Sequence, residues 1–207
     1  MKIELANIGK RFKKEWIFRK VDASLQNGLF GLLGANGSGK STLLKIIAQA
    51  ELATEGTVHF EAKGKIPAEE AYKYISFAAP YQNLPEQLTL NELLKLSLHF
   101  KPLIDQADAD FFLKETYLSQ SGDKYIHQFS SGMKQRLKLG LALLSDTPIV
   151  LLDEPCSNLD TKGIDFYQHL IEKHRNNRLI LVATNEKDKE LPLPTASLNL
   201  SDFKEIN

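Results

Sequence analysis

One cysteine and one tryptophan are present in this 207-residue chain, and the lone Cys156 cannot form an internal disulfide. That fits a reducing compartment, and a small residue filling a tight site after Asp153-Glu154-Pro155 is the expected role of Cys156. Net charge is missing too: 26 Lys and Arg balance 26 Asp and Glu. A neutral chain carries no global basic field, so direct nucleic-acid binding is not expected. No uncharged apolar stretch reaches the roughly 20 residues that a membrane helix needs, and no charged, apolar, small-residue leader opens the chain. There is no internal repeat and no low-complexity tract. A soluble, intracellular protein follows, either one domain or one with a small inserted lobe.

What is present is concentrated in a few segments. Gly34-Ala35-Asn36-Gly37-Ser38-Gly39-Lys40-Ser41-Thr42 fits G-x-x-x-x-G-K-[ST], the loop that wraps a nucleotide's phosphates. The glycines let backbone amides turn inward, and the helix expected to begin near Lys40 adds the positive end of its dipole. Its flanks suit the motif, with Gly28 to Leu33 reading as a short buried strand and Lys40 to Ala48 as a helix.

Strand signals also cover Lys2–Ile8, Val21–Leu25, Thr57–Phe60 and Tyr74–Ala78, with Gln26-Asn27-Gly28 as a turn. Thr89-Leu90-Asn91-Glu92 is a capping box ahead of a leucine-rich helix, and the chain reads as mostly helical from there to about Gln128. Apolar runs at Pro148–Leu152 and Arg178–Ala183, with a crossover helix over Thr161–Arg175 between them, predict strands buried in a parallel sheet. In such sheets ligands sit at the carboxyl ends of strands, here marked by Asp153-Glu154 and Thr184-Asn185. Asp153 is placed to hold Mg²⁺ together with the Ser41 hydroxyl. Glu154 is placed to take a proton from the water that attacks a γ-phosphate, or to orient that water.

The phosphate loop, Phe129-Ser130-Ser131-Gly132-Met133-Lys134-Gln135-Arg136, Leu151 to Pro155 and Ser157-Asn158-Leu159-Asp160 follow one another as in the ATP-binding cassette (ABC) ATPases, which this sequence resembles over essentially its whole length. It looks like a short ATP-binding subunit of a transporter, similar to small export-type cassettes such as the haem-export subunit. The resemblance implies an α/β fold with a P-loop NTPase core on a mainly parallel sheet. It further implies an N-terminal antiparallel β subdomain and a helical lobe inserted at about 84–140, all within one cassette spanning 1–207. The implied cofactors are ATP and Mg²⁺, and the implied activity is ATP hydrolysis coupled to transport. The implied partners are a second cassette, identical or not, and a separate transmembrane subunit at the inner face of the membrane. A soluble ATP-dependent regulator with weak hydrolysis is the alternative.

The resemblance also assigns roles. Ser130 and Gly132 belong to the signature segment that meets the γ-phosphate on the opposite subunit. Gln82, at the junction with the lobe, senses Mg²⁺ and the attacking water. Phe12 stacks on adenine, with Trp16 and Phe18 as rivals. Three positions depart from the pattern. Ser131 replaces a glycine, at a cost of about 1 kcal/mol if its φ is positive. Met133 replaces a glutamine. Asn185, 31 residues beyond Glu154, replaces the histidine that helps hold the attacking water; Asn is shorter and carries no proton charge, so binding should survive better than turnover. Asn185-Glu186-Lys187-Asp188 has its lysine misplaced for a guanine-reading motif, which favours ATP over GTP.

Overall fold

A computed structural model describes residues 1–62, 64–175 and 177–203. Alternating burial of Ile3, Leu5 and Ile8 against exposed Glu4 and Ala6 turns β1 (Lys2–Phe12) into a strand with one apolar face. It pairs antiparallel with β2 (Glu15–Leu25). The chain then runs through β3 (Gly28–Leu33), α1 (Lys40–Ile47), β4 (Glu55–Glu61), β5 (Lys65–Ile66) and β6 (Ile75–Ala78). After these come α2 (Leu90–Phe100), α3 (Ala109–Glu115), α4 (Ser131–Leu143), β7 (Ile149–Asp153), α5 (Thr161–His174), β8 (Leu179–Thr184), α6 (Lys187–Glu190) and β9 (Ala196–Asn199).

Two sheets result: an antiparallel one ordered β2-β1-β4-β5, and one ordered β6-β7-β8-β3-β9 whose neighbours are all parallel. Side chains alternate across the parallel sheet. Ile149, Leu151, Leu179 and Leu181 pack toward α1 and the antiparallel sheet. Val150, Leu152, Ile180 and Val182 pack toward α4 and α5. Both faces are therefore covered, which is why β7 and β8 read as unbroken apolar runs.

The first hairpin is longer than the alternation predicts, because Lys10 buries its stem and sends Nζ to Glu51 at 2.5 Å and Leu52 O at 2.7 Å. Gln26 and Asn27 do not close a hairpin but carry the chain from one sheet to the other. The expected helical character up to Gln128 is present, in separate pieces. Beyond α2, the stretch holds α3 and two short 3₁₀ turns at Ile104–Gln106 and Ile126–Gln128. Backbone groups there bond across the fold instead, with Leu90 N–H to Lys124 O, Asn91 N–H to Gly122 O and Ile126 N–H to Leu88 O. The capping box at Thr89 forms as expected, with the Thr89 hydroxyl accepting from Glu92 N–H and Glu92 accepting from Thr89 N–H.

In register, Leu33 lies opposite Thr184 and Asp153 opposite Ala183, so β3, β7 and β8 end at one edge. The residues that follow them, Gly34, Glu154 and Asn185, start from neighbouring points along that edge.

Candidate functional site

The loop after β3 is shaped by glycines. Gly34 has φ +149°, and a Cβ on it would stand 2.6 Å from Ser38 Oγ; Gly39 has φ +98°, and a Cβ there would meet Ile17 and Phe18 at 2.5 and 2.7 Å. Ser38 N–H closes the loop on Ala35 O at 3.1 Å. Lys40, 5% exposed, curls back and donates from Nζ to Gly34 O at 2.7 Å and Ala35 O at 3.2 Å. Its ammonium is thereby fixed across the loop, in line with the first turn of α1. Ser41 and Thr42 follow on α1, as expected, and Ser38 Oγ is buried without a partner. Asn36 Oδ1 accepts from Asn185 Nδ2 at 2.8 Å, which ties the loop after β8 to the phosphate loop, two segments 149 residues apart.

Asp153 is 1% exposed at the tip of β7. Its Oδ2 accepts from the Tyr81 hydroxyl, while Oδ1 is buried and unpartnered. Burial first, then Asp153, pushes the Tyr81 hydroxyl up to about 12, so it stays a donor at neutral pH. The Ser41 hydroxyl lies beside it, and Lys45 Nζ sits 4.5 Å from the centre of the ring. Gln82 is exposed, with its backbone N–H on Ala79 O. Tyr81 is the member of that loop whose side chain reaches the β7 carboxylate. Lys138 of α4 steadies the loop by donating to Ala79 O and Pro80 O at 3.2 and 2.5 Å.

Glu154 adopts φ +43°, a left-handed conformation costly for a residue with a Cβ. It is held there by neighbours: its N–H donates to Ala183 O at 2.9 Å, and Ser157 N–H donates to its carbonyl at 3.0 Å. One residue on, Pro155 O accepts from Gln135 Nε2 at 2.8 Å. The helix that starts at the signature segment is thus bonded to the turn carrying the strand-end acids. Ser130 caps that helix, accepting Met133 N–H at 3.2 Å. Ser131 is the first residue of α4 and is not among the positive-φ positions, so serine costs no left-handed strain there. Gly132 approaches the Asn158 carbonyl. Among the described residues, no hydrogen bond joins Ser130–Gly132 to 34–42.

Phe12 is 48% exposed at the end of β1, with Lys10 Nζ 4.9 Å from its ring centre. The Trp16 ring is covered by the Arg19 guanidinium at 4.4 Å. Phe18 is fully buried beneath Gly39 and cannot present a face to a base. Cys156 is half-buried, and burial, followed by Glu190, pushes its thiol up to about 12. The expected result is that folded protein at pH 8 reacts with iodoacetamide at least about 100-fold more slowly than urea-unfolded protein. Equal rates, read by mass spectrometry, would reject the burial argument.

Two residues at this edge carry no sequence signal of their own. Tyr81 looks like an exposed loop aromatic, and Glu190 looks like one more charge in the polar run Asn185 to Glu190. Glu190 is in fact 4% exposed, and it accepts Cys156 N–H at 2.7 Å.

A glycine-rich phosphate loop, a lysine across it and strand-end acids on a parallel sheet define a P-loop nucleotide-binding protein. A model of the ABC transporter family matches residues 18–157. The uncharacterised ABC transporter ATP-binding protein YybJ of Bacillus subtilis is 28% identical, over 96% of this chain and 92% of that protein. The probable sulfate/thiosulfate import ATP-binding protein CysA of Chlorella vulgaris is 34% identical, over 78% of this chain and 70% of that one. Among solved structures, a dimeric post-hydrolysis state of the ATP-binding cassette MJ0796 bound to ADP and Pi is 26% identical and superposes with a TM-score of 0.78, covering 91% of this chain and 90% of that one.

The chain belongs to the ABC transporter family. It is an ATP-binding cassette that hydrolyses ATP to power a membrane transporter, and a stand-alone soluble regulator is the less favoured reading.

Proposed function

We propose that ATP lies along the loop 34–42, with Lys40 and the loop amides on its phosphates, and that Glu154 activates the attacking water. The observation that carries this reading is the convergence at one sheet edge of Lys40, Asp153, Glu154 and the Asn36–Asn185 pair. Mg²⁺ fits the donors present. Asp153 Oδ2 is taken by Tyr81, and the buried, unpartnered Oδ1 is the atom this chain offers a cation beside the Ser41 hydroxyl. When bound, the ion neutralises phosphate charge. In this reading Gln82, one residue along from Tyr81, senses the loaded site, and Phe12 is the exposed ring available to adenine.

Ser130 and Gly132 complete the site of a second cassette, so the working unit is a head-to-tail pair with ATP between its members. The capped α4 N-terminus supports this, because it presents amides and a hydroxyl to an anion while making, among the described residues, no hydrogen bond to its own phosphate loop. A separate transmembrane subunit receives the motion, with the loop from Tyr81 to Leu90 facing it, and the cassette works peripherally at the inner face of the membrane. Among the described residues no helix is long and apolar enough to cross a membrane. One of the relatives above is named as an importer, so the proposal covers the ATP-driven step common to both directions.

Turnover is proposed to be slow because Asn185 stands where a histidine would help hold the attacking water. Asn185 already spends its amide on Asn36, which supports loop closure more than proton handling. In a phosphate-release assay, Asn185→His is expected to raise kcat by about tenfold with ATP affinity within a few-fold. An unchanged rate in a dimerisation-competent variant would sink this explanation.

A further inference from the structure

Glu190 ends the four-residue α6, in a stretch that looks like solvated charge, yet it is buried. Burial raises its pKa, and the nearby Glu154 and Glu186 push the same way. A carboxyl kept in such a place must be held by specific donors. Its Oε1 accepts the Cys156 backbone N–H at 2.7 Å. Its Oε2 is buried without a hydrogen-bond partner, and the Thr184 hydroxyl, which accepts from Glu186 N–H at 2.8 Å, favours the charged form of the carboxyl. The Cys156 bond links two segments of the site: Cys156 is two residues after Glu154, and Glu190 is five residues after Asn185. The cleft beside Glu190 is bounded by Asn36, Glu154, Ser157, Asn158 and Asn185.

We propose that Glu190 is a positioning residue for ATP hydrolysis: its buried carboxyl ties the turn that carries Glu154 to the segment that follows Asn185. The turn needs such a tie. Glu154 sits at φ +43°, and a strained residue keeps its conformation where its surroundings over-determine it. Four bonds do so here: Glu154 N–H to Ala183 O, Ser157 N–H to Glu154 O, Gln135 Nε2 to Pro155 O and Cys156 N–H to Glu190 Oε1. Two of these reach the segments around Asn185, the Ala183 bond on the strand before it and the Glu190 bond on the stretch after it, and the Glu190 bond is the one of the two made by a side chain. Without it the Glu154 carboxylate drifts from its aim, and a displacement of about 1 Å at a reacting group costs up to about 100-fold in rate. Docking of α6 on α5 uses a different atom, the Glu190 carbonyl, which accepts from the Tyr167 hydroxyl at 2.6 Å. Side-chain replacement therefore removes the tie and leaves that docking bond in place.

This inference rests on the ATPase reading, and the experiment separates the two. Wild type, Glu154→Gln, Glu190→Leu and Glu190→Gln are compared for kcat, ATP dissociation constant, melting temperature and amide hydrogen exchange over 154–159. Leucine fills the space without an acceptor; glutamine keeps a carbonyl for Cys156 N–H. The expected outcome for Glu190→Leu is kcat lowered about tenfold or more, with ATP affinity within about twofold and faster exchange at Cys156. Glu190→Gln is expected to stay within about threefold of wild type. Glu190→Leu turning over at the wild-type rate, or exchanging like wild type at Cys156, would overturn the proposal. So would Glu190→Gln falling as far as leucine. If wild type shows no turnover that Glu154→Gln removes, the ATPase reading fails instead, and the exchange comparison still decides whether Glu190 holds the turn.

Discussion

Replacing Glu154 with glutamine is expected to lower steady-state ATP turnover by about 100-fold or more, while ATP affinity stays within a few-fold. The substitution keeps size and hydrogen-bonding capacity and removes the group that accepts a proton. Its backbone ties to Ala183, and from Ser157, involve main-chain atoms alone, so the left-handed turn survives. A cassette that binds but does not hydrolyse should then trap the ATP-bound pair, because the closed state is lost through hydrolysis. Size-exclusion with light scattering in the presence of ATP is expected to show a dimer for Glu154→Gln and a monomer for wild type. Turnover that persists in the variant would remove Glu154 from the proposed role. A monomer that binds ATP and does not turn it over would reject the composite site and keep the base. If wild type also accumulates as a dimer, the slow step assigned to Asn185 becomes the cause of its persistence.

Replacing Arg178 with methionine is expected to destabilise the fold by about 3–5 kcal/mol. Arg178 is 7% exposed at the start of β8. Its guanidinium donates to Leu143 O at 2.6 Å, Ser145 O at 2.9 Å, Thr147 O at 2.8 Å and Thr147 Oγ1 at 3.2 Å. These acceptors are the end of α4 and the loop leading to β7, where helix carbonyls have no intrahelical donors. A buried cation without an ion pair among the described residues is costly, and burial depresses its pKa to about 10, against the opposing pull of Asp146. Its charge is balanced by carbonyl dipoles at the negative end of α4. Methionine fills most of the volume but leaves buried carbonyls unsatisfied, at about 1–3 kcal/mol each. Thermal unfolding should show a midpoint lower by roughly 10 °C or more for a chain of this size. A shift under about 2 °C would mean that the loop rearranges or hydrates at little cost.

Which features could be read in advance follows from how local their causes are. The phosphate loop was legible because glycine, lysine and serine at fixed spacing act through backbone geometry within nine residues. Thr89 and Ser130 were legible as caps for the same reason: each bonds a backbone N–H three residues on. β7 and β8 announced a two-sided burial through unbroken apolar runs. The stretch after Phe100 was legible as helix in pieces, but its turns were not, because their backbone groups bond to partners far along the chain, such as Lys124 O to Leu90 N–H. Lys10 and Arg178 were opaque because both are charged residues whose carbonyl or carboxylate partners lie tens of residues away.

Chain chemistry alone therefore determined an anion-binding loop, acids at a strand tip and the order of segments that marks an ABC cassette. Packing decided which side chains meet there. It brought Asn185 onto Asn36, sent Tyr81 to Asp153 while Gln82 faces solvent, and buried Glu190 behind Glu154. The physical reason is register. Three parallel strands end level at one edge, and that alignment comes from apolar layers on both faces of the sheet, made of residues distant in the chain and unmarked by any short motif.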